Sequence, residues 1–217
     1  MNIEYMIGLI PLFGQAALMT LALTGLGVLF SFIIGVLANL VYYYRIPVLT
    51  QVMKGYTELS RNTPLLAHLF FLFFGLPAIG INISGFASAV IALTFLGGSY
   101  MAEAVRGGVE AVSKSQRETA DSLGLSKSQV LVYVVAPQAF RAAFAPLVAN
   151  VIFLLRESSL IGAIAVPELM HIALNQISLF YRTDEVLIML VAYYVVLIGP
   201  LSLIFHFVER RLRYGRA

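Results

Sequence analysis

In a chain of 217 residues that is 60% hydrophobic and only 12% charged, each ionisable side chain has to be accounted for. Glu103 and Arg106 stand three apart, a spacing that puts both on one helix face within pairing reach. Glu58 and Arg61 repeat that spacing, and Arg156 and Glu157 are adjacent at the end of an apolar run. A charge at membrane depth is costly unless it pairs or faces water. These six residues therefore offer charge neutralisation: ion pairs that tie helix ends to their neighbours, or the lining of a water-filled path. Both readings stand. Bond-making chemistry is not provided for. The absence of cysteine excludes disulfides, thiolate metal sites and cysteine catalysis. His68, His171 and His206 are scattered and match no metal-ligand spacing. No G-x-x-x-x-G-K-[ST] phosphate loop occurs.

The longest polar interruption runs from Ser115 to Pro137. Ser115-x-x-Glu118 and Ser126-x-x-Gln129 both fit the capping-box pattern, so the stretch reads as two short helices. Gly124 lies between them and can take a positive φ. Ala120, Leu123, Val130 and Leu131 would pin this elbow to the protein, leaving Arg117, Glu118, Asp121, Lys127 and Gln129 outward. That is a docking knob.

Mean hydropathy of +0.90 marks an all-α integral membrane protein. About five spans are expected, near residues 14–44, 59–76, 86–105, 138–155 and 186–207, all in one domain with the polar loop at 113–137. Residues 3–12, with Pro11 inside, read as a short interfacial segment. Gly25, Gly27 and Gly35 would let the first helix pack closely. The N-terminus lacks the basic region of a secretory signal, so no cleavage is expected. Arg45, Lys54, Arg61, Arg106, Lys114, Arg117, Lys127, Arg141 and the four arginines after Phe207 fall on one side of such a topology, with Arg182 opposite. This bias sets the N-terminus outside and the C-terminus in the cytoplasm, and it accounts for the net charge of +3 without nucleic acid.

Glu118-Thr119-Ala120, then Gly124, then Val134-x-Ala136-Pro137 resembles the EAA loop of ABC importer permeases, whose usual form is Glu-Ala-Ala, Gly and Ile-x-Leu-Pro. The chain departs from it at Thr119, Val134 and Ala136. Further segments are similar to the polar amino-acid uptake group: Arg61-Asn62-Thr63-Pro64-Leu65-Leu66, Phe74-Gly75-Leu76-Pro77, Ser99-Tyr100-Met101-Ala102-Glu103 with Arg106-Gly107-Gly108, and Arg156-Glu157-Ser158-Ser159-Leu160. The chain is thus identified as a member of the type I importer permeases, in the bacterial cytoplasmic (inner) membrane.

The resemblance implies a coupling helix in which Glu118, Ala120, Asp121, Gly124 and Pro137 meet a separate ATPase. ATP and Mg would sit on that partner, and no cofactor on this chain. It also implies a second permease copy or homologue, an extracytoplasmic solute-binding protein, an amino-acid substrate, and a short gating helix within 161–182. The third span of the group often has Asn four residues before Tyr100, and the fourth often reads Gly-Asn-Glu-Phe. Here Leu96 and Val151 occupy those positions, and neither neutralises a cation. A substrate pathway would then pass Leu96, Ser99, Tyr100, Asn150, Val151 and Ser158, with no cationic side chain held at Val151; Leu96 and Val151 as simple packing residues is the other reading. A small ion-coupled transporter or channel remains the alternative class. It would not need the elbow.

Overall fold

The computed structural model describes residues 2–214, and among them there are helices and no strands. Arg216, one of the arginines counted above, lies outside the described residues. Helix α1 (Ile3–Tyr44) is continuous for 42 residues, ~63 Å at 1.5 Å per residue. The separate segment expected for 3–12 does not exist. Exposed Pro11 removes one ladder bond, while Leu9, Phe13, Ala16 and Ala17 on the opposite face are buried against residues 169–190 and hold the helix together.

The second span is broken. Helix α2 (Pro47–Arg61) is followed by α3 (Leu65–Phe70), which continues as a π turn over Phe71–Gly75 and a 3-10 turn to Ile79. The two arms meet at 102°. The single helix expected over 59–76 fails because Pro64 donates no amide hydrogen and disfavours helical backbone at Thr63. The Thr63 hydroxyl instead donates to the Leu59 carbonyl at 2.8 Å, closing the end of α2.

Helix α4 (Gly85–Glu110) is the axis of the bundle, starting at Ser84, whose hydroxyl accepts from the Ala87 amide. Its small residues let neighbours in. A Cβ added at Gly97 would stand 2.6 Å from Leu154, and one at Gly35 of α1 would stand 2.8 Å from the Met101 backbone carbon. Gly27 is similarly tight against Leu93, whereas Gly25 faces open space. Hydroxyls follow the backbone into these contacts. Tyr56 and Ser60 of α2 both donate to the Phe95 carbonyl, at 2.7 and 2.9 Å, and Asn39 of α1 donates to that of Ala102 at 2.7 Å. Without water in the bilayer, such internal partners are what polar groups require.

After α5 (Lys114–Ser122) the chain turns into α6 (Lys127–Gln129), a π turn over Val130–Val135 and α7 (Ala136–Glu157) without a gap. The fourth span therefore starts well before the expected residue 138. A 3-10 turn (Ser158–Ile164) leads to α8 (Leu169–Phe180), the short helix implied for 161–182, and α9 (Thr183–Tyr214) closes the described chain. With α2 and α3 as one broken crossing, the described residues hold five helical segments long and apolar enough to cross a membrane.

Candidate functional site

The elbow is built from local turn chemistry. Gly124 adopts φ +76°, a conformation that costs an L side chain and nothing to glycine. Ser126 and Gln129 complete a capping box: the Ser126 hydroxyl accepts from the Gln129 amide, and the Gln129 side chain accepts from the Ser126 amide at 2.8 Å. The other expected box does not form. Ser113, two residues earlier, caps α5 by accepting from the Gln116 amide, and Glu118 pairs instead with Lys114 at 3.2 Å. Ala120, Val130 and Val135 bury a small apolar cluster beneath the elbow, with Val112 and Ala139.

Three further expectations are corrected here. Leu123, expected to pin the elbow, is 77% exposed at its tip. Arg117, expected outward, is half-buried, with its guanidinium donating to the Val109 carbonyl. The second limb is not a separate short helix but the first turn of the fourth span. Glu118, Asp121 and Gly124 are exposed on the outer surface of the knob, Ala120 is beneath it, and Pro137 is exposed at the start of α7. A rigid convex surface with an apolar tip at Leu123 and a charged flank is suited to entering a groove on another protein.

Above the elbow, at the break between α2 and α3, Arg61 bridges to the Glu103 carboxylate, and its guanidinium carbon lies 5.2 Å from the centre of the Tyr100 ring. Arg106 stands 3.5 Å from Glu103 and 2.9 Å from Glu110. Glu58 lines an open polar cleft with Lys54 and Arg106 and makes no ion pair within 4.0 Å among the described residues. Nor do Arg156 and Glu157 pair with each other, because consecutive helical residues point about 100° apart.

The model of the family described as "Binding-protein-dependent transport system inner membrane component" matches residues 27–214. The chain belongs to that family. It is a multi-pass inner-membrane permease. It is 41% identical over 154 residues to the "Probable glutamine ABC transporter permease protein GlnP" of Bacillus subtilis, 71% of each chain. It is 35% identical over 182 residues to the same organism's "Probable glutamine ABC transporter permease protein GlnM", 84% of each. The crystal structure of an amino acid ABC transporter with histidines superposes at a TM-score of 0.91, with 33% identity, over 97% of this chain and 99% of that one.

The permease's sequence-derived pathway residues separate into two groups. Leu96, Ser99 and Ser158 are enclosed by their own chain: Leu96 lies in the central core, and the hydroxyls of Ser99 and Ser158 donate to the carbonyls of Leu96 and Leu155. They line no open path in this chain. Tyr100, Asn150 and Val151 are half-buried on one side of α4 and α7, where Asn150 donates to the Tyr100 carbonyl at 3.0 Å and the Tyr100 and Phe153 rings lie 5.1 Å apart. Arg61 and Glu103 adjoin this group through Tyr100.

Two features escaped sequence reading. Tyr43 and Tyr44, at the end of the first apolar run, bond to the first turn of α6. Glu168 is fully buried where α8 begins; the Pro167-Glu168 pair before an apolar run, with Glu as N-cap, was its only local signal.

Proposed function

We propose that this permease imports polar, uncharged amino acids, driven by ATP hydrolysis on separate ATPase subunits that dock on the elbow. The observation that carries the reading is the elbow itself: Gly124 at φ +76° between two capped helices, with Leu123 presented at the tip over a buried apolar base. ATP and Mg²⁺ belong to the partner. A second copy of the chain, or a homologous permease, encloses the path against the face that carries Tyr100, Asn150 and Val151. A solute-binding protein delivers substrate on the α8 side. Closure of the ATPases then rocks the helices as rigid bodies.

The names of the two Bacillus relatives support an amino-acid substrate, and Leu96 and Val151 support an uncharged side chain. Leu96 is buried in the core and Val151 packs against it, so neither position offers a carboxylate to a cation. Uptake preferring arginine or lysine would overturn that part.

The test is recovery of the tagged chain from its native membrane in mild detergent, with mass spectrometry of what accompanies it. An ATPase subunit is the expected companion, and a second permease sequence, or none, distinguishes heterodimer from homodimer. Gly124→Asp adds a charge at the docking surface where a Cβ meets nothing within 4 Å. It should abolish transport with the membrane fold intact. A chain recovered alone, under conditions that preserve a known importer, and a Gly124→Asp variant that still transports would both reject the reading.

A further inference from the structure

Among the described residues the Arg61–Glu103 bridge joins two different helices; the pairs of Arg106 and Lys114 lie three or four residues apart within single helices, and Arg182 pairs with Glu185 from just before α9. The Arg61–Glu103 bridge lies where a membrane-spanning element is interrupted, at the C-terminal end of α2, just before the Asn62–Pro64 break. Interrupted spans are where transporters place polar ligands, because the unwound backbone is tolerated only against protein or water. The two side chains remain 38% and 41% exposed, so their own chain does not hide them. Charges turned toward hydrocarbon would be costly. The face that carries them is therefore turned to an aqueous path or to the second permease.

We propose that Arg61 and Glu103 form a binding site for the zwitterionic end of the transported amino acid, Arg61 taking the α-carboxylate and Glu103 the α-ammonium. In the empty permease the two satisfy each other. Entry of substrate exchanges one ion pair for two, and because the zwitterion is neutral the site's net charge does not change. A guanidinium can hold a carboxylate by two parallel hydrogen bonds. Tyr100 supports the guanidinium from below at 5.2 Å, and Arg106, 3.5 Å from Glu103, steadies that carboxylate when Arg61 turns away. The site reads the part common to all α-amino acids and leaves side-chain choice to the Asn150 and Val151 side of Tyr100. This inference rests on the amino-acid importer reading above.

The experiment uses the whole complex as it comes from its membrane, reconstituted in proteoliposomes with its binding protein. A mixture of the twenty amino acids is offered, and their accumulation is measured by mass spectrometry. The double variant Arg61→Met, Glu103→Leu should lower uptake ~100-fold, two charge-assisted contacts being lost, while the ATPase subunit is still recovered with the permease. Replacing a purely structural ion pair by apolar residues is often neutral, so uptake within a few-fold of wild type would overturn the proposal. Arg61→Lys keeps the charge and loses the fork. It should raise the half-saturation concentration ~10-fold, chiefly without loss of maximal rate, and an unchanged half-saturation would overturn the proposal even if the double variant fails to assemble. Failure of the importer reading is separate: there the wild-type chain itself carries no ATPase partner.

Discussion

The Tyr43 hydroxyl, at the end of α1, donates to the carbonyl of Lys127 at 3.2 Å across 84 residues of sequence. The neighbouring Tyr44 hydroxyl meets that of Ser128 at 3.0 Å. The first turn of the elbow's second limb is thereby tied to the longest helix in the molecule. Immediately beyond it the chain runs as a π turn from Val130 to Val135, a looser register often found at functional sites. Movement imposed on the elbow thus has two outlets: along α7 through the π turn, and sideways into α1 through the tyrosines.

Removing the sideways route should weaken coupling rather than assembly. Tyr43→Phe deletes one hydrogen bond worth ~1 kcal/mol and keeps the ring. Its expected effect is a rise of up to ~5-fold in ATP hydrolysed per amino acid imported, with complex recovery unchanged. A wild-type ratio in the Tyr43→Phe, Tyr44→Phe double variant would show that α1 takes no part in transmission.

Contact between α1 and α4 depends on backbone approach. A Cβ at Gly35 would lie 2.8 Å from the Met101 carbonyl carbon and 2.9 Å from the Ala102 nitrogen, and backbone atoms cannot move aside as a side-chain tip can. Gly35→Ala should therefore force the helices apart at ~1–3 kcal/mol, lowering the midpoint of thermal unfolding in detergent. Gly25→Ala meets nothing within 4 Å and should leave the midpoint unchanged or higher. Equal effects of the two changes would remove close packing as the explanation.

These residues also show what was legible before the structure. Gly124 and the Ser126–Gln129 box were, because turn and cap chemistry is decided within a few residues. The first cap was misplaced from Ser113 to Ser115 since both serines have a Gln or Glu three residues on, and the Arg117 contact with Val109, a tertiary event, accompanies the earlier start. Pro64 is visible in the sequence, but it falls inside the apolar stretch that reads as a single span over 59–76. Apolar composition gives no reason to stop a helix at Arg61; the docking of Tyr56 and Ser60 onto Phe95 and the bridge from Arg61 to Glu103 hold α2 against α4. Leu96 and Ser99 matched motif positions, yet helix phase turns both into the core. The Arg61–Glu103 pairing crosses elements, and no local spacing encodes it.

Glu168 supplies the last prediction. Its side chain is fully buried, and it caps α8 by accepting from the amides of Met170 and His171 at 2.9 and 2.7 Å. Among the described residues it has no cationic partner within 4.0 Å; the Tyr194 hydroxyl nearby is buried without a hydrogen-bond partner among them, and the His171 ring donates to the Gly162 carbonyl. Burial pushes the carboxyl up to about 7, against the two amide hydrogen bonds that lower it. A folded-state value above the unfolded 4.5 means that the native state holds the proton more tightly. The stabilisation is then full below about pH 4.5, is lost as pH rises toward about 7, and is absent above it, amounting to at most ~3 kcal/mol. The docking of α8 against Thr20 of α1, whose hydroxyl accepts from the Leu169 amide, should loosen across that window. Hydrogen exchange of the α8 amides between pH 5 and 8 should show protection falling with pH beyond the intrinsic change in exchange rate. Glu168→Gln cannot ionise, and because each amide bonds a different carboxylate oxygen it keeps an acceptor for only one of them; its corrected protection should be lower overall and flat with pH. A pH dependence that survives in Glu168→Gln would place the titrating group elsewhere.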